Sequence, residues 1–380
     1  MKKISILGST GSVGSQALDV IRNLEDVQVV SLSAGKNISL LEEQIREFNP
    51  KFVCVQDQND SLILSKKFKN IEFFYGIDGI CSVSKLKDCD LVLNAISGFV
   101  GIYASISSAK EGKTLLLANK ESVVCGSKFL MDLAKKNNCK IFPLDSEHNA
   151  IWQCIDGKEK YLNKIILTAS GGPFFGMNKK DLKNVTVKQV LNHPTWKMGS
   201  VISVNSANMR KKGMEIIEAS YLFDVPVSKI NVLVHPQSIV HSMVEFVDGN
   251  IISQMSHHSM KFPIQYALTY PERVNVSYGS LKLDEICNLS FYSTTDDNNV
   301  ILNLCRNASK DVSVSCALNA INEEAVNSFL RGNISFLDIE RVVLEGIEKF
   351  VPINVSSREN IVESDRIGRK IAKGVLSERF

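Results

Sequence analysis

The opening residues constrain this chain more than any other stretch. Lys3-Ile-Ser-Ile-Leu-Gly8 is a short apolar strand that runs directly into Gly8-Ser-Thr-Gly11-Ser-Val-Gly14, after which Ala17, Leu18, Val20 and Ile21 recur at helical spacing. Strand, glycine loop and helix in that order allow a backbone to approach a pyrophosphate closely while the first helical N–H groups point at it. The spacing is G-x-x-G-x-x-G instead of the commoner G-x-G-x-x-G, so an unliganded turn fits the same residues.

The next strand, Val27-Gln-Val-Val-Ser-Leu-Ser33, ends in Ala34-Gly35-Lys36-Asn37. A site for NAD usually ends this strand in an acid that binds the ribose hydroxyls; a cation and amide donors suit a 2′-phosphate, so NADP is favoured over NAD, against a solvated loop lysine. Further apolar strands at Phe52–Val55, Leu91–Ala95 and Thr114–Ala118 alternate with helical segments near 38–48, 60–68, 100–111 and 127–137. This pattern predicts a parallel sheet covered on both faces, with ligands beyond the carboxyl ends of its strands, where Ser97-Gly98 and Asn119-Lys120-Glu121 fall. Ile141 and Phe142 form the last strand, and Asp145-Ser146-Glu147 follows. On an extended chain the two carboxylates would share a side and chelate a cation; the same trio also fits a loop or a helix cap.

Beyond Ala150 the pattern changes. A strand at Lys164–Thr168 leads into Ala169-Ser170-Gly171-Gly172-Pro173, an oxyanion cradle or a plain turn. His193-Pro-Thr-Trp196-Lys-Met-Gly199 suits a lid over a ligand, or a tryptophan tucked into an interface. Ser206 precedes a helix over 209–223, where Arg210, Lys211 and Lys212 read as a phosphate cradle or a solvated face, and Glu215 as a carboxylate favourable to the helix dipole. Residues 231–271 read as alternating strands of an antiparallel sheet that packs or dimerises, with a turn at Asp248-Gly249; His235, His241, His257 and His258 lack paired ligand spacing and read as hydrogen-bonded structural groups. Residues 272–295 read as linker, and helices follow at 298–308, 314–331, 335–350 and 357–376.

The fold class is therefore α/β: an N-terminal Rossmann-like parallel sheet over 1–144, a central α+β domain over 145–271, a linker over 272–295 and a C-terminal α-helical bundle over 296–380. A net charge of +3 with dispersed lysines argues against nucleic acid and anionic membranes as partners. Nine cysteines without a C-x-x-C pair read as reduced thiols, and no apolar run reaches about 18 residues, so a cytoplasmic protein is expected.

Six blocks in order, Gly8–Gly14, Ala118-Asn-Lys-Glu121, Leu144–Ile151, Ser170-Gly-Gly-Pro-Phe174, His193-Pro-x-Trp-x-Met-Gly199 and His235-Pro-Gln-Ser238, closely resemble 1-deoxy-D-xylulose 5-phosphate reductoisomerase from residue 1 to about 375. The resemblance implies a cytosolic or plastid homodimer that uses NADPH and Mg²⁺, Mn²⁺ or Co²⁺ to make 2-C-methyl-D-erythritol 4-phosphate, in the committed step of the non-mevalonate isoprenoid pathway. It implies that Asp145, Glu147 and Glu215 bind the metal, and that Lys120, Ser146, Glu147, Ser170, His193, Ser206, Lys212 and Glu215 contact substrate, with Trp196 on the closing loop. It further implies that Thr10, Gly11, Ser12, Val13, Gly35, Lys36, Asn37, Asn119, Glu121 and Gly199 contact NADPH. Two departures stand out: Lys211 occupies the place of the family's usual Asn, among the substrate contacts, and Ser256-His-His-Ser-Met260 replaces its Gly-x-Pro-Asp-Met turn.

Overall fold

The computed structural model describes residues 1–178, 180–192, 194, 196, 199–275, 278–286, 288–294 and 300–379. The chain forms two compact units. The first comprises Met1–Ser122, Leu130–Asn149 and Ser259–Ser277, and the second comprises Val123–Phe129, Ala150–His258 and Tyr278–Phe380.

In the first unit, seven strands lie parallel: β1 (Lys2–Leu7), β2 (Val27–Ala34), β3 (Phe52–Val55), β4 (Glu72–Tyr75), β5 (Leu91–Asn94), β6 (Thr114–Leu117) and β7 (Ile141–Pro143), in the order β4-β3-β2-β1-β5-β6-β7. The connecting helices are α1 (Ser12–Ile21), α2 (Ile38–Phe48), α3 (Gln58–Lys67), α4 (Gly76–Val83), α5 (Gly101–Lys110) and α6 (Lys120–Lys136). Ile4, Ile6, Leu32, Val53, Val92, Leu93, Leu115 and Leu116 are all closed off from solvent, as expected of a sheet covered on both faces. The order reverses at β1, which pairs with β2 on one side and β5 on the other. Loops leaving β1 and β5 diverge there and open a crevice at their carboxyl ends.

The glycine loop sits in that crevice for steric reasons. Gly8 has φ +82°, and a Cβ there would lie 2.7 Å from the Ala95 carbonyl oxygen; a Cβ on Gly14 would lie 2.2 Å from the Gly8 oxygen. Two of the three glycines are thus needed by the fold. Gly11, at φ −79° and exposed, is not.

After α7 (Ser146–Ile155), the second unit builds a five-stranded sheet from β8 (Leu162–Ala169), β9 (Ile230–Val234), β10 (Val240–Phe246), β11 (Ile251–Met255) and β12 (Tyr292–Ser293), ordered β11-β10-β8-β9-β12. Its helices are α8 (Val187–Leu191), α9 (Ser200–Ala207), α10 (Arg210–Leu222) and, after α11 (Lys261–Thr269) of the first unit, α12 (Val300–Ala308), α13 (Val312–Leu330), α14 (Phe336–Glu348) and α15 (Arg358–Arg379). Ile216 and Ala219 of α10 pack on the sheet with Ile165, Leu167, Val232 and Val244. Met214 and Ile217, on the other face of the same helix, pack with Ile301, Cys305, Leu318 and Ile321 of the bundle. One helix therefore joins sheet to bundle.

Several expectations need correction. The Glu72–Tyr75 strand and the Gly76–Val83 helix were not read from the sequence, because an edge strand with partly exposed residues on both faces shows no alternation. Lys261–Thr269 is helical although its stretch was read as strand; Pro263 falls in the first turn, where its missing N–H costs nothing. The central sheet is mixed, since β8 and β9 run parallel while β10 runs antiparallel to β8 and β11. No helix among the described residues is long and apolar enough to cross a membrane.

His235, His241, His257 and His258 are hydrogen-bonded, as expected. His235 is fully buried and stacked on Phe291 at 4.7 Å. Its Nδ1 lies 2.8 Å from the Ser290 carbonyl oxygen, which only accepts, and its Nε2 accepts from the N–H groups of Ile239 and Val240 at 3.2 Å. The ring is therefore the neutral Nδ1–H tautomer, and burial lowers its pKa from the ordinary 6.5. A depressed folded pKa gives stability that is present above pH 6.5 and lost as pH falls through the folded value. The urea midpoint is expected to drop between pH 7 and 5, and His235→Asn to flatten part of that drop; an identical pH dependence in the variant would contradict this.

Candidate active site

In the first unit the implied residues gather at the carboxyl ends of the parallel strands. Thr10, Gly11, Ser12 and Val13 lie in the loop after β1 and the opening of α1, whose N-cap, Gly11, makes no side-chain capping bond. The first N–H groups of this ten-residue helix are left for another acceptor. After β2, Gly35 and Lys36 are exposed, and Asn37 caps α2 by accepting from the Leu40 N–H at 3.3 Å.

Asn119 follows β6 and is almost wholly buried. Its Oδ1 accepts from the Ser122 N–H at 2.9 Å, and its Nδ2 donates to the Ile96 and Gly98 carbonyls and to Glu121 at 2.7, 3.0 and 2.8 Å. Even Gly101 is shaped by it, since a Cβ there would lie 2.5 Å from the Asn119 amide. Asn119 thus ties the loop after β5 to the start of α6, and Lys120 follows at a fixed position.

Of the readings open for Asp145-Ser146-Glu147, the structure shows the helix cap. Only Asp145 precedes α7; Ser146 and Glu147 are its first residues, so the two carboxylates are displayed by a helix start and not by an extended chain. Asp145 caps that start through Oδ1, which accepts from the Glu147 N–H at 3.3 Å, and its carbonyl accepts from the Asn149 N–H at 2.8 Å. Cap and ligand are compatible, because a carboxylate has about four lone-pair sites. An oxygen of Asp145 and one of Glu147 lie within 4.8 Å of each other. Lys120 Nζ donates to Asp145 Oδ2, and the Ser146 hydroxyl donates to Glu147 at 2.5 Å. His148, which the sequence did not single out, is fully buried with Nδ1 3.1 Å from Asp145 Oδ1. Its spacing of three from Asp145 becomes a signal once the helix is recognised.

In the second unit, Ser170 follows β8, and its hydroxyl accepts from the Gly172 N–H at 3.3 Å. Gly172 has φ +67°, and a Cβ there would lie 3.2 Å from the Ser206 carbonyl, so this turn closes on the last turn of α9. Lys212 Nζ donates both to Glu215 and to the Thr168 carbonyl, pinning α10 to the end of β8. Lys211 Nζ lies 2.8 Å from Glu215 Oε1. Glu215 is fully buried, so two ammonium groups and a carboxylate share a site from which water is largely excluded. Trp196 meets the rings of His241 and His258 edge-on, at 6.2 and 6.0 Å, and Gly199 caps α9. His193 lies outside the described residues.

Comparison with known proteins accounts for both halves. Residues 4–127 match the family model described as 1-deoxy-D-xylulose 5-phosphate reductoisomerase, residues 141–223 that enzyme's C-terminal domain, and residues 255–371 a further DXP reductoisomerase C-terminal domain. The curated enzyme of that name from Thermodesulfovibrio yellowstonii is 44% identical over 381 residues, covering 100% of both chains, and that of Thermoanaerobacter pseudethanolicus is 43% identical over 98% of this chain and 99% of its own. A crystal structure of DOX-P reductoisomerase in complex with NADPH, fosmidomycin and magnesium superimposes with a TM-score of 0.93 at 34% identity, covering 99% of this chain and 98% of that one. The Zymomonas mobilis enzyme in complex with NADPH superimposes at 0.92 with 34% identity, covering 99% of each. With relatives of one name matched from end to end, this chain belongs to the 1-deoxy-D-xylulose 5-phosphate reductoisomerase family.

Proposed function

We propose that this protein converts 1-deoxy-D-xylulose 5-phosphate into 2-C-methyl-D-erythritol 4-phosphate with NADPH and a divalent cation, Mg²⁺, Mn²⁺ or Co²⁺, in the cytoplasm, as the committed step of non-mevalonate isoprenoid synthesis. The end-to-end likeness to enzymes of this name carries the reading.

The donor set fits the cation. Asp145, Glu147 and Glu215 offer only carboxylate oxygens from buried positions, the chemistry that a hard divalent ion selects over thiolate or imidazole. The first unit fits the dinucleotide: the open N-terminus of α1, with Thr10, Gly11, Ser12 and Val13, receives the pyrophosphate, and Gly35, Lys36 and Asn37 receive the 2′-phosphate. Asn119, Glu121 and Gly199 complete the cofactor contacts. When bound, the cation supplies Lewis acidity for the carbon-skeleton rearrangement, and NADPH supplies the hydride that reduces the resulting aldehyde.

The side chains do the holding and orienting. Ser170, Ser206 and Lys212 grip the substrate phosphate, so binding energy remote from the reacting carbons fixes their geometry. Ser146 and Lys120 donate to the substrate hydroxyls, and His148 keeps the Asp145 carboxylate turned towards them. Lys211 brings a positive charge where the family usually places an amide, and a lysine can still hold phosphate. Trp196, beside His241 and His258, helps to shield the substrate from water.

A homodimer is supported by β11 at the edge of its sheet, where Ile251 and Ile252 point to opposite faces and both are exposed. For the metal, protein freed of cations with a chelator is expected to lose NADPH oxidation on 1-deoxy-D-xylulose 5-phosphate and to recover it with Mg²⁺, Mn²⁺ or Co²⁺. Full activity in excess chelator would overturn the metal role.

A further inference from the structure

Arg210, the first residue of α10, has the largest fully buried side chain among the described residues, and nothing in the chemistry above uses it. Its Nη1 donates to Cys305 Sγ at 2.9 Å, and its Nε and Nη2 are buried without a hydrogen-bond partner. Burial raises the Cys305 thiol above its usual range and outweighs the nearby guanidinium, so the sulfur is a neutral acceptor, not a counter-ion. A buried cation satisfied by one thiol and placed at a positive helix end is unfavourable three times over: in desolvation, in the unmade hydrogen bonds of Nε and Nη2 and in the dipole.

A second cost falls next to it. Met209, at the N-cap of α10, has φ +63°, a left-handed conformation that a side chain with a Cβ disfavours. Both anomalies sit at the turn that presents Lys211, Lys212 and Glu215. Cys305 also fills the space over Gly213, where a Cβ would lie 2.3 Å from its sulfur. The sulfur of α12 therefore touches α10 at two positions, Arg210 and Gly213, one on each side of the two lysines. That contact fixes both the rotation and the height of the first turn of α10 against α12, whereas apolar packing alone would let the turn relax.

We infer that Arg210 is a positioning residue: clamped by Cys305, its guanidinium holds the first turn of α10 in a strained setting that presents the Glu215 carboxylate to the cation. The inference rests on the assignment of Glu215 as a metal ligand. It implies that stability and metal affinity pull in opposite directions at this position. Methionine is close in volume to arginine's buried stem and carries neither the charge nor the unmet donors, so Arg210→Met removes the cost and the clamp together.

The test is an Mn²⁺ titration followed by the electron paramagnetic resonance of the free ion, alongside thermal unfolding of the metal-free protein. Arg210→Met is expected to melt at the same temperature or higher, to bind Mn²⁺ about tenfold more weakly, as when a residue supporting a metal ligand is lost, and to bind NADPH unchanged. Cys305→Ala should weaken Mn²⁺ binding in the same direction, and Cys305→Ser, which keeps an acceptor, should restore most of it. A fall in melting temperature and Mn²⁺ affinity together, or undiminished Mn²⁺ binding in Arg210→Met, overturns the inference. Glu215→Gln separates the two readings: if it loses Mn²⁺ while Arg210→Met keeps it, the positioning role alone fails, and if it keeps Mn²⁺, the metal assignment and the positioning role fail together.

Discussion

Glu215→Gln is expected to lower metal-dependent turnover by about a thousandfold while NADPH binds as before. The exchange keeps the shape of the side chain but removes one negative charge from the proposed ligand set. It also leaves the Lys211 and Lys212 ammonium groups facing an amide whose NH₂ side cannot accept from them. Glu215 is fully buried, so water cannot replace the lost charge, and a stability loss of about 1–3 kcal/mol is expected as well. The glycine loop and the segment after β2 lie in the other unit, so the dinucleotide affinity has no reason to change. Fluorescence titration with NADPH, compared with steady-state NADPH oxidation, separates the two effects. Wild-type rates of NADPH oxidation in the variant would remove Glu215 from the site.

The second large effect belongs to Gly14. Alanine there would set its Cβ 2.2 Å from the Gly8 oxygen and 2.6 Å from the Ser9 Cα, both backbone atoms that move only with β1 or α1. Gly14→Ala is therefore expected to cost roughly 3 kcal/mol of stability and to weaken NADPH binding at least tenfold, because the helix start is pushed away from the loop. Gly11→Ala offers the contrast. Its φ of −79° suits any residue and its Cβ would come no nearer than 3.3 Å to the Gly8 oxygen, so the fold should be nearly untouched and NADPH affinity should fall. Thermal unfolding and NADPH titration of both variants check this. Equal loss of stability in the two would mean that the loop's glycines serve the turn alone.

What the sequence disclosed follows the physics of each signal. Buried parallel strands read as apolar runs, so β1, β2, β3, β5 and β6 could be read directly, as could the C-terminal helices from their apolar spacing; at the start of α14 the Asp338 carboxylate accepts from the Ser335 N–H and hydroxyl. The edge strand Glu72–Tyr75 lacked that signal because its side chains meet solvent on both faces. Asp145-Ser146-Glu147 was visible as a cluster that fitted either an extended chain or a helix cap, and only the backbone decides that the helix begins at Ser146 with Asp145 as its cap. His148 acts through a helix not yet recognised and so left no local mark, whereas Asn119 was legible at a strand end but not the tie it makes to the Ile96 and Gly98 carbonyls. Arg210 carried the opposite of its usual meaning, since a basic run that would ordinarily face solvent places its first member in the core.

The central claim is that the chain rearranges a carbon skeleton and reduces it in one site, and the most direct test is the structure of the product. Incubation of the metal-free protein with NADPH and ¹³C-labelled 1-deoxy-D-xylulose 5-phosphate, with and without Mg²⁺, followed by ¹³C NMR, reads both steps at once. The expected result is NADPH oxidation only with Mg²⁺ and a branched product, 2-C-methyl-D-erythritol 4-phosphate, in one-to-one yield with the NADPH consumed. An unbranched alcohol, or the same yield without a divalent cation, would contradict it.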